Sequence, residues 1–202
     1  MTAPLPTATA DLARALRAER AASYGRLRGG YPVPLAGALW WAALGAAGWL
    51  VPSPGRWILA AFVTSGTIFP LALLLARLLR VDFMRDRTAV SDALVPAFAS
   101  MLLFWPIAVA AWWSHPPLVP LVLAIGMSIH WPVIGWTYAR TGLFTAHAVV
   151  RAVACFAVWQ WLPAHRFTVL PLVVSAVYLA TVLAILADTA RTPARAAAAA
   201  PA

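Results

Sequence analysis

Four long stretches of the chain contain no Asp, Glu, Lys or Arg: 29–55, 57–76, 93–139 and 167–187. A helix that crosses a bilayer needs about 20 mainly apolar residues, so each stretch can hold one span, and 93–139 can hold two. Charged residues make up about 25% of ordinary soluble domains, whereas they make up 10% of this chain. The pattern predicts an all-α integral membrane protein.

Prolines, glycines and short polar segments divide the apolar sequence into six predicted spans, at 33–51, 57–79, 94–113, 118–138, 143–162 and 168–187. Because the connections are short, consecutive helices should pack antiparallel as a six-helix bundle. The transmembrane domain is expected over 31–188, after a cytoplasmic segment, 1–30, and before a disordered cytoplasmic tail, 189–202. In the first span Ala38, Ala42 and Ala46 form a small-residue stripe that predicts close helix packing.

The arginines predict the orientation. The chain has no lysine, and with a cytoplasmic N-terminus every arginine except Arg56 and Arg166 falls on the inner side, as the positive-inside rule requires. Tryptophans favour the membrane–water interface. They cluster at the predicted outer ends: Trp49, Trp57, Trp112, Trp113, Trp159 and Trp161. Both residue types predict that the N- and C-termini are cytoplasmic. Basicity from arginine alone, with abundant Ala and Pro, suggests a GC-rich bacterial genome, so the expected location is a bacterial inner (plasma) membrane.

Residues 11–28 have the composition of a helix, with arginines over much of its surface. One interpretation is an amphipathic helix on anionic lipid headgroups. The other is a solvated cytoplasmic helix. The expected partners are the lipid bilayer and its anionic cytoplasmic headgroups, and no nucleic acid is expected. The sequence leaves the oligomeric state open.

Arg151 is the most informative polar position. A fifth span that began after Arg151 would have only about 11 residues before Pro163, which cannot cross a bilayer. Arg151 must therefore lie inside the membrane, where a guanidinium is costly unless it is hydrated or paired. Three interpretations stay open: snorkelling to inner-leaflet phosphates, an ion pair with Asp92 or Asp188, and an anion or ligand site.

Other polar side chains could share a cavity with Arg151 in the inner half of the membrane. His147 lies one helical turn before Arg151 on the same face. His130 belongs to the fourth span. Hydroxyls complete the candidate ligand-binding set, although such groups usually bond to their own helix: Ser128, Ser65 and Thr67.

Three consecutive predicted spans contain an aromatic–proline step: Phe69-Pro70, Trp105-Pro106 and Trp131-Pro132. A proline inside a span frees a backbone carbonyl and kinks the helix, and such breaks can line a binding cavity.

The sequence offers no catalytic motif, and no metal or cofactor is expected. The absence of lysine excludes retinal and pyridoxal Schiff bases. The single cysteine, Cys155, excludes an internal disulfide and multi-thiolate metal sites.

The segments TSGTIFPLALLLARLL, at 64–79, and GMSIHWPVIGWTYARTG, at 126–142, resemble a bacterial family of small multi-span membrane proteins of unknown function. The shared features are a Gly-x-x-Phe-Pro-Leu step and a histidine–proline–tryptophan–tyrosine step, in which this chain has His130-Trp131-Pro132. The resemblance covers about residues 25–188. It implies an inner-membrane helical bundle and no activity.

The preferred interpretation is a membrane protein that binds, or helps to move, a small anionic or amphipathic ligand. Arg151 would hold the anionic group, with His130 and His147 as hydrogen-bonding partners. The alternative is a non-catalytic scaffold or partner subunit. A third is a redox protein in which His130 and His147 bind haem, although their estimated depths differ by about 9 Å.

Overall fold

The computed structural model describes residues 7–51, 53–82 and 84–198, and the regular structure in those ranges is helical, without strands. The predicted all-α class is therefore confirmed. Residues 1–6 of the predicted N-terminal segment and 199–202 of the predicted tail lie outside the described ranges. The helices are α1 Thr7–Arg26, α2 Pro32–Leu50, α3 Pro54–Ser65, α4 Ile68–Leu78, α5 Leu94–Leu102, α6 Trp105–Ser114, α7 Val119–Gly126, α8 Trp131–Thr137, α9 Thr141–Trp161 and α10 Val169–Ala198.

Within the described residues, five segments are long and apolar enough to cross a membrane: Arg28–Leu50, Ser91–Ser114, Pro116–Thr137, Thr141–Trp161 and Val169–Arg191. Helices α3 and α4 qualify as a sixth if the pair is one span, and they are bent by 51° at their junction. Each of the six predicted spans overlaps one of these segments. Helix α10 continues to Ala198, so the backbone is helical over much of the tail for which the sequence predicts disorder.

Each aromatic–proline step lies just after an interruption in a span. Helix α3 ends at Ser65, α5 at Leu102 and α7 at Gly126, and two to four residues separate each of them from the next helix. Proline lacks the N–H that would continue the hydrogen-bond ladder, so the turns before it tighten. The N–H of Leu103 thus bonds to the carbonyl of Ser100, and that of Ser128 to the carbonyl of Ile125. A bend of 51° is shown at the α3–α4 junction, and the other two steps lie at interruptions of the helix.

Helices α2 and α10 pack closely through glycines of α2. A Cβ atom at Gly48 would lie 2.2 Å from the backbone oxygen of Phe167, and one at Gly37 would lie 2.8 Å from the ring of Tyr178. The hydroxyl of Ser175 donates to the carbonyl of Ala38 across this contact, over 2.8 Å. Of the predicted alanine stripe, only Ala38 is buried, since Ala46 is exposed. The close contact therefore uses a different face of the helix.

The C-terminal half of α1 packs against one end of the bundle, which we call the arginine-rich end because Arg26, Arg140 and the loop 79–93 meet there. Asp86 in that loop accepts hydrogen bonds from Ser23, over 2.5 Å, and from Arg26, over 2.8 Å. Tyr24 is fully buried, and this burial, with the nearby charge of Asp188, raises its pKa. Leu12 near the start of α1 is 70% exposed. Whether that part lies on a lipid surface stays a prediction.

Candidate functional site

Arg151 lies near the middle of α9, and none of its surface is exposed. Its Nε–H donates to the carbonyl oxygen of Ala124 in α7 over 2.6 Å. Its guanidinium carbon lies 5.0 Å from the ring centroid of Tyr178 and 5.9 Å from that of Trp41. The side chain therefore stays inside the bundle and does not extend to the membrane surface, so the snorkelling interpretation is wrong.

The acceptor on Ala124 is available because the fourth span is interrupted. In an unbroken helix the N–H of Ser128 would donate to Ala124, but here it donates to Ile125 over 2.9 Å. The freed carbonyl of Ala124 then accepts from Arg151. Local sequence thus positions the site, because the tightened turn before Pro132 supplies the backbone acceptor.

Arg151 is only partly satisfied by these contacts. Its Nη1 and Nη2 atoms are buried and make no hydrogen bond to the described residues. The ion pairs within the described ranges involve other arginines, and Asp188 lies 2.6 Å from Nε of Arg140. The ion-pair interpretation with Asp188 or Asp92 is therefore not supported. What is left is a desolvated cation with two amino groups that lack acceptors.

His147 lies beside Arg151 and is also buried, with 3% of its surface exposed. Its Nδ1 is 2.7 Å from the hydroxyl oxygen of Thr181 in α10. That hydroxyl already donates its hydrogen to the carbonyl of Val177 over 2.8 Å. Nδ1 of His147 must therefore donate to Thr181. Because a second buried charge beside Arg151 would be costly, the ring is neutral in its Nδ1–H form, which leaves a lone pair on Nε2. Nε2 is buried without a hydrogen-bond partner among the described residues.

Aromatic rings surround the two histidines. The ring of His147 lies 4.5 Å from Trp131 and 4.8 Å from Tyr178, between centroids. The ring of His130 lies 5.8 Å from Trp131 and 5.0 Å from Phe98. Nδ1 of His130 and Nε1 of Trp131 are buried and lack hydrogen-bond partners in the described part of the chain. Both predicted histidines therefore lie in one cluster, which Trp131 connects.

The haem alternative, in which His130 and His147 bind one iron, stays a prediction. Within the described ranges, no group of three or more His, Cys, Asp or Glu residues could hold a metal ion.

The predicted hydroxyls differ in their placement. Ser128 is 3% exposed and donates to its own helix at Ile125 over 2.6 Å. Ser65 donates to Phe62, and Thr67, which is exposed, donates to Thr64. These contacts are local hydrogen bonds to the same span. The structure therefore shows Ser65 and Thr67 engaged at the α3–α4 break and records no contact between them and the Arg151 cluster.

Sequence reasoning missed the residues that enclose the cluster from other helices: Trp41 of α2, Thr181 and Tyr178 of α10, and the backbone of Ala124. Nε1 of Trp41 is a further buried donor without a hydrogen-bond partner among the described residues. Tryptophans deep inside a span, away from the interface, are the one signal that could have indicated Trp41 and Trp131. Thr181 has no comparable signal, because hydroxyls are common in spans.

Comparison with curated proteins found no match, and comparison with solved structures found none either. A family model described as a family of unknown function, DUF7010, matches residues 15–188. This match includes α2 to α9, all of the residues of the Arg151 cluster and most of α10. The resemblance to an uncharacterised family is thereby confirmed, and the chain belongs to the family of unknown function DUF7010.

Proposed function

We propose that this protein is a multi-pass protein of a bacterial inner membrane that binds a small anionic or amphipathic ligand at Arg151. One observation carries the proposal: a fully buried guanidinium whose Nη1 and Nη2 atoms have no hydrogen-bond partner among the described residues. Burying a charge without a partner costs several kcal/mol, and an anion at this position would offset that cost.

The contacts that Arg151 already makes compensate for only part of this cost. One hydrogen bond from a charged donor is worth about 1.5–3 kcal/mol, and Arg151 has one such bond, to Ala124. Cation–π contact adds about 2 kcal/mol when it is desolvated, and the rings of Tyr178 and Trp41 provide it. Both amino groups stay free to bind one carboxylate or phosphate through two parallel hydrogen bonds.

The surroundings favour a ligand that carries both an anionic and a donor group. The chain has six acidic residues, and none lies between Ala93 and Ala187. No carboxylate from the middle of a span thus competes with a ligand for Arg151. The lone pair on Nε2 of His147 would accept a hydrogen bond, which suits a hydroxy acid or a protonated phosphate. The rings of Trp41, Trp131 and Tyr178 would pack against an apolar part of the ligand.

Transport of the bound ligand is the more specific form of this proposal, and the interrupted helices support it. In several transporter folds, interrupted helices bring free backbone carbonyls to a binding site near the middle of the membrane. The carbonyl of Ala124 is such a group, and it lies in the interruption between α7 and α8. Arg151 would then hold the anion while α8 changed its angle to α7.

A scaffold function is the second candidate, and the contacts of Arg151 also favour it. From α9, this side chain contacts Trp41 of α2, Ala124 of α7 and Tyr178 of α10. It could therefore serve only to join four helices. The two functions differ in whether an anion stabilises the protein through Arg151.

Thermal melting in mild detergent separates them. The wild type, Arg151→Met and the control Arg166→Met would be melted with sodium benzoate, lactate, octanoate or phosphate, and with choline chloride at equal ionic strength. Arg166 contacts Trp159 near the C-terminal end of α9, where its guanidinium carbon lies 4.3 Å from the indole centroid. Ligand binding predicts that at least one anion raises the melting temperature of the wild type and of Arg166→Met, but not of Arg151→Met.

The scaffold function predicts a different result: Arg151→Met melts at a lower temperature, and no anion acts differently on the three proteins. Mass spectrometry of small molecules that co-purify with the wild type extends the test beyond these four anions. A molecule that is retained equally by Arg151→Met would refute binding at Arg151.

A further inference from the structure

A second candidate site lies at the arginine-rich end, away from Arg151. A cavity of about 430 Å³ opens beside the C-terminal end of α4. Leu73, Ala76 and Val81 form its apolar wall, and Arg77, Arg80 and Asp82 form its polar wall. Because α4 ends the second candidate span, the cavity is expected where hydrocarbon gives way to headgroups.

The backbone at the end of α4 brings Arg80 to this cavity at a conformational cost. The N–H of Val81 bonds to the carbonyl of Ala76 over 2.8 Å, and that of Arg80 to the carbonyl of Arg77 over 3.3 Å. This is the Schellman type of helix ending, whose left-handed position is usually occupied by glycine. Here Arg80 occupies it, with φ of 56°. Glycine would adopt this conformation with less strain.

The cavity wall carries net positive charge. The carboxylate of Asp82 lies 3.3 Å from Nε of Arg85, so that acid already has a basic partner. Arg77 and Arg80 take part in none of the ion pairs within the described ranges. Next to these arginines, Leu74 and Leu78 of α4 are 53% and 68% exposed. The site thus combines two unpaired cations with an adjoining apolar surface.

We propose that this cavity binds the headgroup of an anionic phospholipid, with the phosphate between Arg77 and Arg80 and the acyl chains along the exposed leucines of α4. Charge complementarity and the apolar continuation both favour an anionic lipid over a soluble anion. Basic side chains near headgroups attract anionic lipids, and each adds to the affinity.

Native mass spectrometry of the purified full chain in mild detergent tests the proposal. Phosphatidylglycerol, phosphatidylcholine and inorganic phosphate would be titrated separately into the wild type, Arg77→Gln/Arg80→Gln and the charge-matched control Arg17→Gln/Arg191→Gln. The control arginines are exposed and do not line the cavity. The wild type and the control should bind one phosphatidylglycerol more tightly than phosphatidylcholine. The first variant should bind it roughly tenfold or more weakly.

Arg80→Gly shows whether weaker lipid binding is caused by loss of the cation or by unfolding of the variant. It removes one cation and the backbone strain together, so its melting temperature should rise while its affinity for phosphatidylglycerol falls. Equal affinity of the wild type, the cavity variants and the control would overturn the proposal. Equally strong binding of phosphatidylcholine, or displacement of the lipid by millimolar inorganic phosphate, would overturn the assignment to an anionic lipid.

Discussion

Arg151 in α9 and Ala124 in α7 are joined by a hydrogen bond of 2.6 Å from Nε to the backbone oxygen. Two features that are separate in the sequence therefore belong to one site: an arginine inside a span and a proline-associated helix interruption. The arginine would be costly without the carbonyl, and the carbonyl would lack a partner without the arginine. The Arg151 cluster therefore depends on both groups.

Thr181→Val tests the hydrogen bond that orients His147. The change leaves the buried Nδ1–H of His147 without an acceptor, which costs about 1–3 kcal/mol. The melting temperature in detergent should fall, and Thr181→Ser should retain most of the wild-type value. Thr189→Val is the matched control, since the hydroxyl of Thr189 bonds only to carbonyls of its own helix, at Ile185 and Leu186. Equal effects of the two valine substitutions would contradict the assigned role of Thr181.

Gly48→Ala tests the close approach of α2 to α10. The added methyl group would lie 2.2 Å from the backbone oxygen of Phe167, so the helices must separate, at a cost of about 1–3 kcal/mol. Gly66→Ala is the control, because a Cβ atom there has no neighbour within 4 Å and φ is −63°. The control should be neutral or slightly more stable. Reversible unfolding in mixed micelles measures both changes, and a Gly48→Ala protein as stable as Gly66→Ala would disprove the packing.

Asp86→Asn tests whether the loop 79–93 holds α1. Asp86 accepts from Ser23 and Arg26, and its side chain is only 15% exposed. Loss of its charge should free α1, so trypsin should cleave after Arg17 and Arg20 on the order of tenfold faster. Asp82→Asn is the control, because Asp82 is 58% exposed and pairs only with Arg85 among the described ion pairs. Equal cleavage rates of the two variants would show that Asp86 does not hold the helix.

Reporter fusions test the proposed orientation. A periplasm-dependent phosphatase should be inactive when it is fused after Ala202 and active when it is fused after His165, because the proposed topology has six spans between two cytoplasmic termini. A fluorescent protein that folds in the cytoplasm should give the opposite pattern. An active phosphatase at the C-terminus would refute either the number of spans or their direction.

The helices of this fold were predictable from the sequence. Charge is costly in hydrocarbon, so each candidate span is part of a long stretch with few or no charged residues. The same reasoning placed Arg151 inside a span, since Pro163 leaves too few residues after it. The interruptions were also predictable, because proline removes a backbone donor wherever the helix lies.

The partners of Arg151 were not predictable, and neither was the face of α2 that packs closely. A span that is apolar on all sides carries little information on its rotation about its axis. Alanine and glycine are both small, so the stripe of Ala42 and Ala46 resembled the true contact of Gly45 and Gly48. Whether Thr181 and Tyr178 face the cluster depends on the rotation of α10 about its own axis. Only the three-dimensional packing determines that rotation.

The interruptions in the second, third and fourth candidate spans divide each of them into two shorter helices, with a joint near the middle of the segment. Such a joint allows one half to tilt while the other half keeps its contacts. The bundle is held at one end by Asp86 and at the other by the ring contact between Trp57 and Phe167, 5.1 Å apart. For the proposed transport function, a tilt at these joints would open one face of the membrane while the other stays closed, and no helix would need to slide along its length.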